Sequence, residues 1–167
     1  MIKNRIVEYG ERPASSFLAN PNNPRKHPEG QRRAVKGLLE AVGWVGVVME
    51  SARSGLLLDG HERIFQALDE GDETPVPFIS VDVTPEEEKL ILATLDRTGE
   101  LATYDNIVLA ELINDIDIDS LNPMVQEILS DMVDEFKLEL DMPDLGTEEE
   151  PESENKKTVC PNCGWEF

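Results

Sequence analysis

The chain has 167 residues, 40% of them apolar, and a formal charge of −20. It contains no run of about 18 apolar residues, and MIKNRIVEYG at the start lacks a secretory apolar segment. A membrane span and a secreted, disulfide-framed protein are therefore not expected, and a cytoplasmic one is. The charge is lopsided: residues 1–80 hold 10 Lys/Arg against 11 Asp/Glu, leaving 5 of the 15 basic and 24 of the 35 acidic residues to 81–167. Such an acidic half repels a phosphate backbone, so any nucleic-acid contact is expected from the N-terminal half, with poor non-specific DNA affinity.

Taken in order, Arg5 to Tyr9 predicts a first strand, followed by a proline-containing turn and a short segment around Phe17 and Leu18. Asn20 to Pro28, NPNNPRKHP, is too rich in proline and asparagine for a regular element and predicts a loop, flanked by Arg25, Lys26 and His27 and then by Arg32, Arg33 and Lys36. A helix follows from Pro28, at its first position, to Val42, stopped by Gly43. Ala34, Val35, Leu38, Leu39 and Val42 form its apolar stripe. Val45 to Met49 and Leu56 to Leu58 predict a strand hairpin.

Asp59-Gly60 is then a sharp turn into a helix starting near His61, with Ile64, Phe65, Ala67 and Leu68 facing inward. A strand that turns on glycine into a helix is a phosphate-binding arrangement: the first N–H groups lack intrahelical partners, the dipole is positive there, and glycine admits close approach. Arg63 would add a forked guanidinium. The same residues also make an ordinary turn, with Asp59 as N-cap and Glu62 and Arg63 on a solvated first turn.

Val76 to Val81 predicts a further strand, and Thr84-Pro85-Glu86-Glu87 a helix start with a hydroxyl cap, proline at the first position and acids at the positive end, reaching Leu95 or Arg97. Two more amphipathic helices are predicted from Asn106 to Ile116 and from Pro123 to Phe136. Past Leu140 the composition, MPDLGTEEEPESENKK, predicts a disordered linker.

The order of these pieces carries a resemblance. Asn23-Pro24-Arg25-Lys26-His27, a glycine-stopped helix, a hairpin, Asp59-Gly60-His61-Glu62-Arg63 at a strand-to-helix turn, Val76-Pro77 on a strand and a T-P-E-E-E helix start together resemble the ParB/sulfiredoxin-like superfamily. More narrowly they look like the ParB-like nuclease domains of phage proteins and of some DNA-modification methylases. The resemblance implies an α+β fold, a small mixed sheet with packed helices over residues 1–100. An acidic helical extension would follow over 101–140, a linker over 141–157 and a short tail over 158–167.

It also implies that Gly60 to Arg63 is the phosphate box, binding the triphosphate of CTP or ATP with Mg²⁺, and that Asn23 to Arg25 is the loop closing over that nucleotide. The phosphate-binding set is thus Asn23, Arg25, Lys26, Gly60, His61 and Arg63. No cysteine stands at His61 or beside it, which removes sulfiredoxin chemistry. One arginine occupies the box where the chromosome-segregation members carry two adjacent ones, and the region after residue 105 is too acidic for a DNA-reading helix-turn-helix.

Asp59, His61 and Glu62 are the candidate catalytic residues of a metal-dependent nuclease or nucleotide hydrolase, being types that hold Mg²⁺ and activate water. Positions 61 and 62 diverge by about 100° on a helix, which works against one shared ion. Finally, Cys160-Pro161-Asn162-Cys163-Gly164 is a zinc half-site, completed by a second subunit as a Cys₄ homodimer, by His27 and His61, or by a partner protein.

The expected function is a prokaryotic or phage DNA-metabolism protein that binds nucleotide or nucleic-acid phosphate at Gly60 to Arg63. A DNA methyltransferase or another phage DNA-processing protein is its expected partner. The alternatives are the nuclease and an acidic protein-interaction adaptor.

Overall fold

The computed structural model describes residues 1–140, so the expected linker and the Cys160/Cys163 half-site lie outside the described residues. Strands β1 (Ile6–Pro13), β2 (Val48–Ser51), β3 (Leu57–Asp59) and β4 (Pro75–Val81) form one mixed sheet in the order β1-β4-β2-β3. β1 runs antiparallel to β4, β4 parallel to β2, and β2 antiparallel to β3. Helices α1 (Glu29–Val42), α2 (His61–Glu70) and α3 (Pro85–Glu100) are interleaved with the strands, and α4 (Asn106–Asn114) and α5 (Pro123–Leu140) follow. Among the described residues, no helix is long and apolar enough to cross a membrane.

The inner strands alternate with period two and are buried on both faces. Val48, Leu57, Val76 and Phe78 join Ile64 and Ala67 of α2, with Ala14 and Phe17, in one core. Leu58 and Val81, with Met49 and Ile79, meet Val83, Ile91 and Leu92 on the α3 side. Strand β3 is thus fixed on both faces and helix α2 on one, which holds the Asp59-Gly60 turn between them.

Several boundaries differ from expectation for physical reasons. β1 continues through Pro13 because it is an edge strand, where proline costs no ladder hydrogen bond. Pro28 sits at the N-cap of α1 rather than at its first helical position. β2 starts at Val48, not Val45, because Gly43 to Gly46 is drawn off to line a cleft. The Thr84 start is as expected: Thr84 Oγ1 accepts from the Glu87 N–H at 3.3 Å, and Glu87 Oε2 accepts from the Thr84 N–H at 2.8 Å.

The inward face of α2 differs most. Ile64 and Ala67 are buried, but Phe65 and Leu68 are exposed, and Glu62 and Gln66 take the buried positions. Helix α1 covers that side and supplies the partner, Arg32, whose Nε reaches Glu62 Oε1 at 3.2 Å while its guanidinium lies 4.0 Å over the Phe65 ring.

α5 closes on the far side of α1. Asn122 Nδ2 donates to the Gly37 carbonyl at 2.8 Å, and a Cβ built on Gly37 would stand 2.8 Å from the Met124 Cβ. Gly37→Ala is therefore expected to push α5 away from α1 at a cost of about 1–3 kcal/mol. Amide exchange should quicken along α5 and stay unchanged in β4; unaltered exchange in α5 would refute the tight contact.

Candidate phosphate-binding cleft

The apolar stripe of α1 does not enter the core. Leu38 is 47% exposed and Val42 60%, and Val35, Leu38 and Leu39 instead form one wall of a cleft of about 340 Å³. The Gly43-Trp44-Val45-Gly46 segment and Leu92 of α3 continue the apolar side, and the β3-to-α2 turn forms the polar end.

At that turn Gly60 occupies the N-cap of α2 at φ 90° and ψ 17°, left-handed backbone open to glycine. Asp59, expected as the cap, instead accepts from the Gly60 N–H at 2.7 Å with Oδ1 and from Arg63 Nη2 at 2.8 Å with Oδ2. The first N–H of α2 bonded within the turn is that of Ile64, to the Gly60 carbonyl at 2.9 Å. No side chain caps the helix, so its first turn, which borders the cleft, keeps the orphan donors of a helix start. Gly46 backs the arginine: a Cβ there would fall 2.9 Å from Arg63 Nη1, so the missing side chain is what lets the guanidinium lie against β2's approach.

The 20–28 loop also borders the cleft. Asn23, Arg25 and His27 line it, whereas Lys26 is exposed and lies outside the lining. Arg25 Nε is 2.6 Å from Asp96 Oδ2 of α3, and its Nη2 is 3.9 Å from Glu100 Oε1. His27 Nδ1 lies 3.1 Å from Gln31 Oε1. Two arginines thus line one cleft, each held by an aspartate.

Asp59, His61 and Glu62 all border this cleft, and each already holds a partner within the chain. Glu62, only 8% exposed, is shared between Arg32 and Gln66 Nε2, the latter at 2.6 Å. His61 Nε2 accepts from the Asn20 N–H at 3.2 Å. Among the described residues no group of three or more His, Cys, Asp or Glu side chains is placed to hold a metal ion. The three residues expected to share a catalytic metal are thus in one place but not gathered on one point, the 100° divergence at 61 and 62 being resolved by Glu62 turning to α1. His27 and His61 share the cleft too, while the cysteines they were expected to serve lie outside the described residues.

Burial in the cleft wall lowers the pKa of His61 below its ordinary 6.5, outweighing the opposing pull of Asp59, and His27 adds to the lowering. Between the lowered value and 6.5 the unfolded chain binds a proton that the folded one does not. His61's contribution to stability is therefore complete above pH 6.5 and falls as pH drops through that window. Melting curves at pH 7.5 and 5.5 should show a larger loss for wild type than for His61→Gln; an equal loss would disprove a buried neutral imidazole.

The sequence signals missed Trp44, Gly46, Leu92 and Asp96. Two glycines bracketing Trp44 and Val45 were a readable hint that the chain there serves a cleft and not a strand. Asp96 is one acid among 35 and carried no local signal.

No protein-family model and no curated protein matches the sequence. Solved structures do match the fold. The C-terminally truncated chromosome-partitioning protein ParB from Caulobacter crescentus, complexed with CTPγS, aligns with a TM-score of 0.52 at 15% identity, over 65% of this chain and 62% of that one. A Pnob8-like ParB-N domain aligns with a TM-score of 0.44, also at 15% identity, over 99% of this chain and 58% of that one. The chain spans about three fifths of the length of each. The fold is therefore ParB-like, the ParB/sulfiredoxin-like architecture that the motif order implied.

Proposed function

We propose that this protein binds a nucleoside triphosphate with Mg²⁺, its phosphates at the Gly60 to Arg63 turn and its apolar body against α1. The observation that supports this most is the convergence on one cleft of an uncapped helix start at a left-handed glycine and two arginines, beside an aliphatic wall. Phosphate oxygens would replace the Asp59 and Asp96 carboxylates on Arg63 and Arg25, a like-for-like exchange of charge-assisted hydrogen bonds. Mg²⁺ carried by the triphosphate would neutralise part of its charge beside the two released aspartates. CTP is the first nucleotide to test, because the ParB neighbour holds a CTP analogue. That neighbour is a chromosome-partitioning protein, which supports a place in DNA metabolism for this one.

Direct docking of duplex DNA on α1 is less favoured by the charge distribution. Arg32 pairs with Glu62, Arg33 lies 3.7 Å from Glu127, and Lys36 lies 3.9 Å from Glu40 and 3.8 Å from Asp69. The basic residues of that helix are thus already neutralised within the chain.

Calorimetric titration with CTP, ATP and GTP plus Mg²⁺ tests the reading. Heat of binding that is weakened at least about tenfold in Arg63→Ala is the expected result. An absence of heat with every nucleotide overturns it.

A further inference from the structure

Asn20 is 4% exposed and its N–H points at a side chain 41 residues further along, Nε2 of His61 at 3.2 Å. A main-chain amide only donates, so the ring nitrogen accepts and neutral His61 carries its proton on Nδ1. Further hydrogen bonds run on from this contact. The Asn20 carbonyl accepts from the Asn23 N–H at 3.1 Å, Asn20 Oδ1 from the Asn22 N–H at 3.0 Å, and Asn23 Oδ1 from the Arg25 N–H at 3.2 Å. The series starts on the first residue of α2 and ends on the backbone of the loop arginine that lines the same cleft.

We infer that His61 is a positioning residue: its Nε2 anchors Asn20 and, through Asn23, sets where Arg25 stands in the cleft that the Gly60 to Arg63 turn also lines. The lone pair that a general base would use is already spent on the Asn20 amide, so the geometry gives this histidine a placing role and not proton transfer. Removing the acceptor leaves a buried N–H without a partner, a state the chain relieves by releasing the loop. The inference rests on the nucleotide reading only in what Arg25 is placed to grip; the placement of the loop does not depend on it.

The test compares wild type with His61→Ala, His61→Leu and His61→Gln in the full chain. Alanine removes the acceptor without adding bulk, leucine removes it while keeping bulk, and glutamine offers a carbonyl oxygen in its place. All three are compatible with a first helical turn. In the free protein, alanine and leucine are expected to speed exchange of the Asn20, Asn23 and Arg25 amides at least tenfold with β4 amides unchanged, and glutamine to restore slow exchange.

With CTP and Mg²⁺, alanine and leucine should weaken binding at least tenfold and glutamine less than threefold. Loop exchange at the wild-type rate in the alanine and leucine proteins overturns the inference. Equal release in all three variants overturns it too, because the acceptor would then be irrelevant. If the loop behaves as expected but even wild type binds none of CTP, ATP and GTP, the nucleotide reading fails and the positioning role stands.

Discussion

Gly60→Ala is expected to destabilise the protein by about 2–5 kcal/mol, enough to remove much of the stability of an ordinary domain. Two costs add. Left-handed backbone costs a residue with a side chain about 1–2 kcal/mol. A Cβ here would also lie 2.6 Å from Val48 Cγ1 and 2.9 Å from its Cβ, and Val48, on β2, is fully buried in the core, so the overlap adds about 1–3 kcal/mol. Gly55 supplies the control: its φ is also positive, at 71°, yet nothing lies within 4 Å of a Cβ built there, so Gly55→Ala should show a backbone cost only. Urea unfolding of the two variants measures the difference. Equal losses would mean that Val48 yields freely and that the turn is not wedged against the sheet.

Replacing Arg25 and Arg63 together by alanine is expected to abolish nucleotide binding within the measurable range. Hydrogen bonds to charged groups contribute about 1.5–3 kcal/mol each, and about 1.4 kcal/mol is a tenfold change in affinity. Each single substitution should therefore cost at least about tenfold. The double loss approaches about a thousandfold, less any shortfall if both arginines hold one phosphate. Losing Arg63 also strips Asp59 of the guanidinium at 2.8 Å and leaves an unpaired carboxylate where phosphate must sit. Arg63→Lys should fall between wild type and alanine, since an ammonium keeps the charge but not the fork. A double variant that binds CTP like wild type would remove both arginines from the site.

The two predictions draw on different kinds of information. The first was close to legible without a structure: Asp59-Gly60 between an apolar run and an amphipathic helix marks a glycine turn, and only the depth of the clash with Val48 was hidden. The second depended on Arg25 lining the same cleft as Arg63, which the loop motif suggested by resemblance and no periodicity could supply. The apolar stripe of α1 illustrates why. Its spacing correctly predicted a one-sided helix, but a stripe that meets a core and a stripe that borders a cleft have the same spacing.

What the sequence by itself determined was therefore local: the glycine turn before α2, the Thr84 cap of α3, the two-faced strands and the order of motifs that implied a ParB-like fold. These features rest on backbone preference and on contacts between residues a few positions apart. The tertiary structure alone decided which acid meets which base: Asp96 with Arg25, Asp59 with Arg63, and Glu62 withdrawn to Arg32. It also decided that His61 holds the Asn20 amide. With 35 acidic and 15 basic side chains, many pairings are compatible with the composition, and only the packing of α1 and α3 about the sheet selects among them.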